Sequence, residues 1–526
     1  MWTKSLVRRL LVTLLAAGLA VEPVLAEPVV RLASGSLQGK AVGAVEVFLG
    51  VPYAAPPVGT LRWQPPHPAP VWQGQRDASR FAAACYQSVA TPWGPYSMEF
   101  IAGEPVREDC LYLNVWKPAG EQRGLPVLVF IHGGGFGGGA GHVPAYDGAS
   151  LAGRGAVVVT INYRVGVFGF LAHPALSAQS PSRASGNYGL LDQIAALRWV
   201  QSNVARFGGN PRNVTIAGES AGAASVNDLQ VSPLAKGLFR RGVSFSGASM
   251  AIDLPTLAEG EREGLALSER LGARTAESLR AVSAAKLAAA TRYVPGAESG
   301  PPHLVWVPHL DGVVVPADPD RPDAPLASRV PLLTGFNAEE MVDPAVRTPA
   351  GFERAVRARY GAFAERLLAL YPHATEAEAA QSNILVARDR YMTGLLLWAR
   401  ARPKGTRDPI WLYRHDQPYP PVRGGPSFGA FHSSELAYVF GTIGLGDRSF
   451  GAQDQAVVRQ WQDRLLSFMR RGDPSLPGRP WPAAGDRNTQ VMAIGARERL
   501  RPAVSTPERF EAFRAYAASG GRLGLM

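Results

Sequence analysis

The chain has 526 residues, 46% of them apolar and 18% charged, enough to bury a large core and too few charges for a disordered polymer. Its formal charge is +11, yet Lys and Arg are scattered with no block of five or six, so the basic balance describes a solvated surface and not a nucleic-acid-binding face. No fixed-period repeat, Ser/Gly linker or low-complexity break divides the sequence, which favours one large domain with insertions over the two or three that length alone suggests.

The first 26 residues stand apart. Lys4, Arg8 and Arg9 form a basic start, residues 10–20 are apolar, and Val24-Leu25-Ala26 offers a small-residue cleavage site before Glu27. This predicts a signal peptide over 1–26 and an exported mature chain over 27–526, secreted or periplasmic. The alternative, a retained anchor, meets an apolar run too short to span a bilayer. No other stretch is long enough to span, so no membrane association is expected after cleavage. In an oxidising compartment the two cysteines, Cys85 and Cys110, read as a disulfide closing a loop. Loop-closure entropy puts its contribution at about 3–4 kcal/mol.

Residues 28–53 read as short strands with Gly-containing turns, and 61–71, rich in Pro and Trp, as irregular. Beyond Cys110 the pattern changes. Residues 126–131 (PVLVFI) and 156–161 (AVVVTI) are continuous apolar runs, as strands buried on both faces should be. Residues 190–207 carry Leu190, Leu191, Ile194, Leu197, Val200 and Val204 at helical spacing and stop at Gly208-Gly209-Asn210-Pro211. Residues 213–217 read as the next strand, 221–226 as the start of a helix and 241–246 as another strand. Residues 256–325 read as helical and then Pro-rich, and 347–400 as helical again. Strands are expected at 331–336 and 409–414, and an amphipathic helix at 454–471. Strands alternating with helices imply an α/β fold with a mostly parallel sheet covered on both faces. The inserted helices are expected to wall a pocket.

That pocket would lie above Ser220. The pentapeptide Gly218-Glu219-Ser220-Ala221-Gly222 places a serine between a strand and a helix, with glycines two residues to either side. This is the pattern of a nucleophile elbow, a turn too tight for flanking side chains. The helix N-terminus offers free N–H groups and a partial positive charge to a developing oxyanion. A serine hydroxyl also needs a base, a residue to orient that base, and further oxyanion donors. In this topology the acid and then the histidine follow the serine. The strand at 331–336 runs into Asn337-Ala338-Glu339-Glu340, so either glutamate fits by position, with Asp311 a weaker rival. His373, His415 and His432 remain for the base; His415 ends a strand, and His432 lies on a loop opening to Ser433-Ser434-Glu435. The run His132-Gly133-Gly134-Gly135-Phe136 directly follows the 126–131 strand and suits backbone donors. It lacks the Gly-Lys-Ser/Thr of a phosphate loop. The N–H of Ala221 would be the third donor.

Taken together, these segments resemble the carboxylesterase type B (cholinesterase-like) family of the α/β-hydrolase fold. The resemblance rests on FLGVPYAAPPVGTLRWQPP at 48–66, EDCLYLNVW at 108–116 and HGGGF at 132–136. It extends through GNYGLLDQIAALRWVQSNVARFGGNP at 186–211, GESAG at 218–222, GFNAEE at 335–340 and HSSEL at 432–436. It implies Ser220 as nucleophile, Glu340 as triad acid and His432 as base, with oxyanion donors at Gly134, Gly135 and Ala221. It also implies the Cys85–Cys110 pairing, and supporting roles for Glu219 and Ser246. The activity implied is hydrolysis of a small-molecule carboxylic ester through an acyl-enzyme, with no metal or cofactor required. The alternatives are an amidase or carbamate hydrolase using the same triad, or a non-catalytic binding module on the same fold. Trp93, Tyr96, Phe136 and Trp306 are candidates either for lining a gorge or for ordinary packing. The sequon Asn213-Val214-Thr215 lies on a strand expected to be buried and is discounted. Acyl and alcohol specificity and oligomeric state are not written in the sequence.

Overall fold

The apolar runs of the sequence become the centre of one sheet, because a strand buried on both faces needs no polar alternation. The computed structural model describes residues 27–247, 254–291, 305–321, 323–340, 342–343, 345–402, 408–485 and 488–524; the predicted signal peptide lies outside them. Among these residues the main sheet has eleven strands. In chain order they are β1 (Lys40–Val42), β2 (Val45–Pro52), β3 (Tyr112–Pro118), β4 (Leu125–Ile131), β5 (Val157–Ile161), β6 (Gly209–Glu219), β7 (Arg241–Phe245), β8 (Leu332–Asn337), β9 (Ile410–His415), β10 (Gln490–Ile494) and β11 (Arg499–Pro502). Their spatial order is β11-β10-β9-β8-β7-β6-β4-β5-β3-β2-β1. The stretch from β5 to β10 is parallel, and both ends are finished by antiparallel strands.

Successive residues of one strand enter opposite core layers. Val127, Val129 and Ile131 of β4 join the layer of helices α1 (Tyr188–Asn203), α2 (Ala221–Val231) and α4 (Glu376–Ala401). Leu128 and Phe130 join the layer of α5 (Glu435–Phe440) and α6 (Ala452–Arg471). The inserted helix α3 (Leu257–Leu271) begins on a Thr256–Glu259 capping box and buries Leu267 in one apolar cluster with Trp63, Phe168 and Leu171. A last helix, α7 (Pro507–Ala518), brings Phe513 against Tyr360. No described helix is long and apolar enough to cross a membrane.

The order of β5, β4 and β6 decides where chemistry can occur. After β5 the chain crosses β4 and lays β6 on its other side. The loops leaving β4 and β6 therefore diverge at a topological switch point, where open α/β sheets bind ligands. Those loops carry His132-Gly133-Gly134-Gly135 and Ser220. Cys85 and Cys110 are bonded to each other, and the amide of Asn162, the residue after β5, donates to the carbonyls of Ala83 and Cys110 beside the bond.

The structure also departs from the sequence reading. The helix expected over 190–207 is α-helical only to Asn203 and closes in a 3-10 turn over Val204–Phe207. β6 starts at Gly209, where the sequence suggested a stop, because Gly209 pairs with Leu125 before the register shifts. Strands β3, β10 and β11 and helix α7 were not anticipated.

Candidate active site

Ser220 sits at φ 55°, ψ −120° between β6 and α2, a strained conformation for a residue with a side chain. The flanking glycines are demanded by close approach. A Cβ on Gly218 would stand 2.2 Å from the carbonyl oxygen of Gly222, and one on Gly222 would stand 2.1 Å from that of Ile131. The second contact locks the elbow to the end of β4. The glycine run follows from there, and a Cβ on Gly133 would lie 3.1 Å from Ser220 Cβ. Gly134 and Gly135 take φ of 110° and 61°. Among the described residues no carbonyl accepts their N–H groups, and Ala221, first residue of α2, has no preceding helical turn to satisfy its own. Three backbone donors are thereby available around the serine. Phe136 turns into the core against Phe170, with ring centroids 5.1 Å apart.

Of the three candidate bases, only His432 reaches the elbow. Its Nδ1 lies 2.5 Å from Glu340 Oε2, and its Nε2 lies 3.2 Å from Oε1 of Glu219, the residue before the serine. His415 instead accepts a bond from Trp461 Nε1 at 3.1 Å, and burial pushes its pKa down to about 3. His373 contacts the Tyr371 carbonyl and faces Glu353. The acids separate as clearly. Glu339 accepts from the Ala430 N–H on the loop that carries His432. Asp311 ties a turn by accepting from the N–H groups of Val313, Val314 and Val315. Glu340 alone of the three meets the imidazole. Its other oxygen accepts from the Asn337 N–H at 2.8 Å and from the Ser246 hydroxyl.

Sequence reasoning missed part of this network. Glu435, fully buried on α5, accepts from the Asn337 side chain and lies 3.3 Å from Ser246 Oγ. Ser246 therefore stands between Glu340 and Glu435. Ser433, at φ 75°, donates to Glu219 Oε1 at 2.7 Å. The segment His432-Ser433-Ser434-Glu435 was in view, but its side-chain partners are far away in the chain. Tyr96 donates to the His432 carbonyl at 3.0 Å. Trp93 is largely exposed and leans on Tyr96, and Trp306 packs against the core.

Three buried carboxylates surround one imidazole. Burial lowers the His432 pKa, but the charges of Glu340 and then Glu219 outweigh it and hold the ring above its ordinary value. Burial raises Glu219, against the attraction of His432. Burial, then the charges of Glu340 and Glu219, push Glu435 up to about 8, which favours its protonated form. The arrangement stabilises an imidazolium while limiting the negative charge packed around it.

Comparison with known proteins identifies the family. A model of the carboxylesterase family matches residues 26–510. Fumonisin B1 esterase of Sphingopyxis macrogoltabida is 38% identical over 480 residues, 88% of this chain and 85% of that protein. Para-nitrobenzyl esterase of Bacillus subtilis (strain 168) is 35% identical over 480 residues, 88% of this chain and 93% of that protein. The solved structure of a PNB esterase superposes with a TM-score of 0.75 at 32% identity, covering 93% of this chain and 100% of its own. The chain belongs to the carboxylesterase family, with the α/β-hydrolase fold, and is a serine hydrolase of carboxylic ester bonds.

Proposed function

We propose that Ser220 is the nucleophile of this esterase, His432 its general base and Glu340 the residue that orients and stabilises the base. The observation that carries the reading is the 2.5 Å bond from His432 Nδ1 to the buried Glu340, made on the far side of the ring from the elbow. His432 takes the Ser220 proton as the hydroxyl attacks the ester carbonyl. The oxyanion accepts from the N–H groups of Gly134, Gly135 and Ala221, which are preorganised and cost nothing to reorient during the reaction. The imidazolium then protonates the leaving alcohol, and water hydrolyses the acyl-enzyme through the same base. Glu219 and Ser246 support this centre without touching the carbonyl. The mature chain is exported, a reading supported by the basic and apolar pattern of residues 1–26.

The relatives are named for fumonisin B1 and for para-nitrobenzyl esters, two dissimilar molecules, so the ester substrate of this chain is best sought with a panel that includes neutral and anionic acids. The chemistry itself is tested by labelling with a fluorophosphonate. Wild type should take up one label per chain, and Ser220→Ala should take up none and lose ester turnover by several orders of magnitude with its fold intact. A Ser220→Ala protein that still turns over esters rejects the assignment.

A further inference from the structure

Ser220, Ser246 and Ser433 all hold a positive φ although none is glycine. Backbone strain of this kind collects where a site needs it. Ser220 needs it as the elbow and Ser246 stands between Glu340 and Glu435, but Ser433, at φ 75°, has no part yet in the chemistry. A glycine adopts that conformation without strain. What serine adds is a hydroxyl, and here the residue is buried and the hydroxyl is aimed at Glu219. We propose that Ser433 is a positioning residue for the base: its hydroxyl draws the Glu219 carboxylate off His432 Nε2 and leaves that nitrogen to serve Ser220.

The distances around one oxygen carry the argument. Glu219 Oε1 lies 2.7 Å from Ser433 Oγ and 3.2 Å from His432 Nε2. A charge-assisted bond from a nitrogen to a carboxylate is about 2.7–2.9 Å long. The contact to the ring is longer than that, and the contact to the hydroxyl is short. The carboxylate is also backed from behind, because a Cβ on Gly133 would stand 2.7 Å from Glu219 Oε2. Glu219 is thus held between the start of the glycine run and Ser433, with the imidazole at its edge.

Nε2 is the ring nitrogen that must exchange protons, since Nδ1 is taken by Glu340. Without the Ser433 hydroxyl, Oε1 closes on Nε2 and blocks the approach of the serine oxygen. Once the ring is charged, a closer carboxylate also holds the Nε2 proton back from the leaving alcohol. Both half-reactions pass through this nitrogen, so both slow together.

The turn itself does not depend on the hydroxyl. The Phe431 carbonyl accepts from the Asn337 side-chain amide at 2.7 Å and from the Ser434 N–H at 3.0 Å. The His432 carbonyl accepts from the Tyr96 hydroxyl at 3.0 Å, and the Ser433 carbonyl from the Leu436 N–H at 3.1 Å. Three successive carbonyls are pinned, so removing the Ser433 side chain leaves the backbone of the loop in place.

The test is steady-state hydrolysis of a p-nitrophenyl ester by wild type, Ser433→Gly and Ser433→Ala. Both variants lose the hydroxyl, and only glycine suits the positive φ. In each, kcat should fall about tenfold with KM within about twofold of wild type. Because the residue acts through Glu219, Ser433→Gly in a Glu219→Ala background should change kcat by less than about twofold. Ser433→Gly relieves the backbone and serves alone if the alanine variant folds poorly. Wild-type kcat in Ser433→Gly, or the same fold-loss with and without the Glu219 carboxylate, overturns the proposal. The proposal rests on the reading of Ser220 and His432. Fluorophosphonate uptake by wild type, and its loss in Ser220→Ala, do not involve residue 433, so a failure of that reading appears there and not in the Ser433 variants.

Discussion

Glu219 Oε1 lies 3.2 Å from His432 Nε2, the ring nitrogen that faces the elbow. The imidazole therefore has a carboxylate on each edge, since Glu340 holds Nδ1. A base must be neutral to accept the serine proton, while both carboxylates favour its charged form. Burial lowers the ring's pKa, and the charges of Glu340 and Glu219 raise it further than burial lowers it. The acid limb of kcat/KM should accordingly fall above the ordinary histidine value of about 6.5. Glu219→Gln removes one of the raising charges, so the limb should move to lower pH by about one unit. A pH profile of hydrolysis for the two proteins checks this, and a limb that stays put or moves upward refutes it.

The adjacent glutamates should behave unlike each other. Glu340 is bonded to the imidazole, to the Asn337 N–H and to Ser246. Glu340→Gln keeps the shape but stabilises the wrong tautomer and no longer balances the imidazolium. A loss of about 10³–10⁴-fold in kcat is expected, by analogy with the aspartate of serine proteases. Among the described residues the Glu339 carboxylate accepts from the Ala430 N–H on the loop behind His432. Glu339→Gln should change kcat by less than about tenfold, since an amide oxygen can still accept that bond. Steady-state kinetics on both variants decide the matter; equal losses would mean that the loop, and not the ring contact, sets the rate.

Glu435 makes a prediction about stability. Burial and the charges of Glu340 and Glu219 push its pKa up to about 8, against about 4.3 in an unfolded chain. Between those values the folded state holds a proton that the unfolded state has released. Its contribution is thus fully present below about pH 4, and is lost as pH rises towards 8. Glu435→Gln cannot ionise, so its stability should fall less than that of wild type over this window. Denaturant midpoints at pH 5.5 and pH 8.5 measure the difference, and a parallel fall in both proteins would contradict it.

The parts of this site that were legible in the sequence are those in which local backbone demands dictate residue type. Strand β4 announced itself because burial on both faces leaves no polar positions, and the elbow because Gly218 and Gly222 have no room for a Cβ. The choice between Glu339 and Glu340 was not legible from pattern. It depends on the pairing of Glu339 with Phe431, which turns one carboxylate to the loop and leaves its neighbour for the imidazole. Ser433 and Glu219 meet across 214 positions, and Asn337 and Glu435 across 98; no periodicity records such a contact. Strand β11 was missed for another reason. β11 is an edge strand without fully buried positions, so it has neither the apolar run nor the alternation that marks an interior strand.

The disulfide gives a prediction independent of catalysis. Cys85 and Cys110 are the only two cysteines, they are bonded, and both are buried beside the sheet. The bond closes a loop with a sequence separation of 25 residues. In the unfolded chain it removes conformations in proportion to the logarithm of loop length, which corresponds to about 3–4 kcal/mol. In the folded chain the Asn162 amide already holds Ala83 and Cys110 together, so the native loop should persist after the bond is cut. Wild type unfolded in the presence of reductant should therefore lose about 3–4 kcal/mol while its folded activity changes little. Replacing both cysteines by Ala should reproduce the lower midpoint and abolish its sensitivity to reductant. Equal midpoints for oxidised wild type and the double variant would show that the Asn162 bonds and the surrounding core, and not the covalent link, hold this loop.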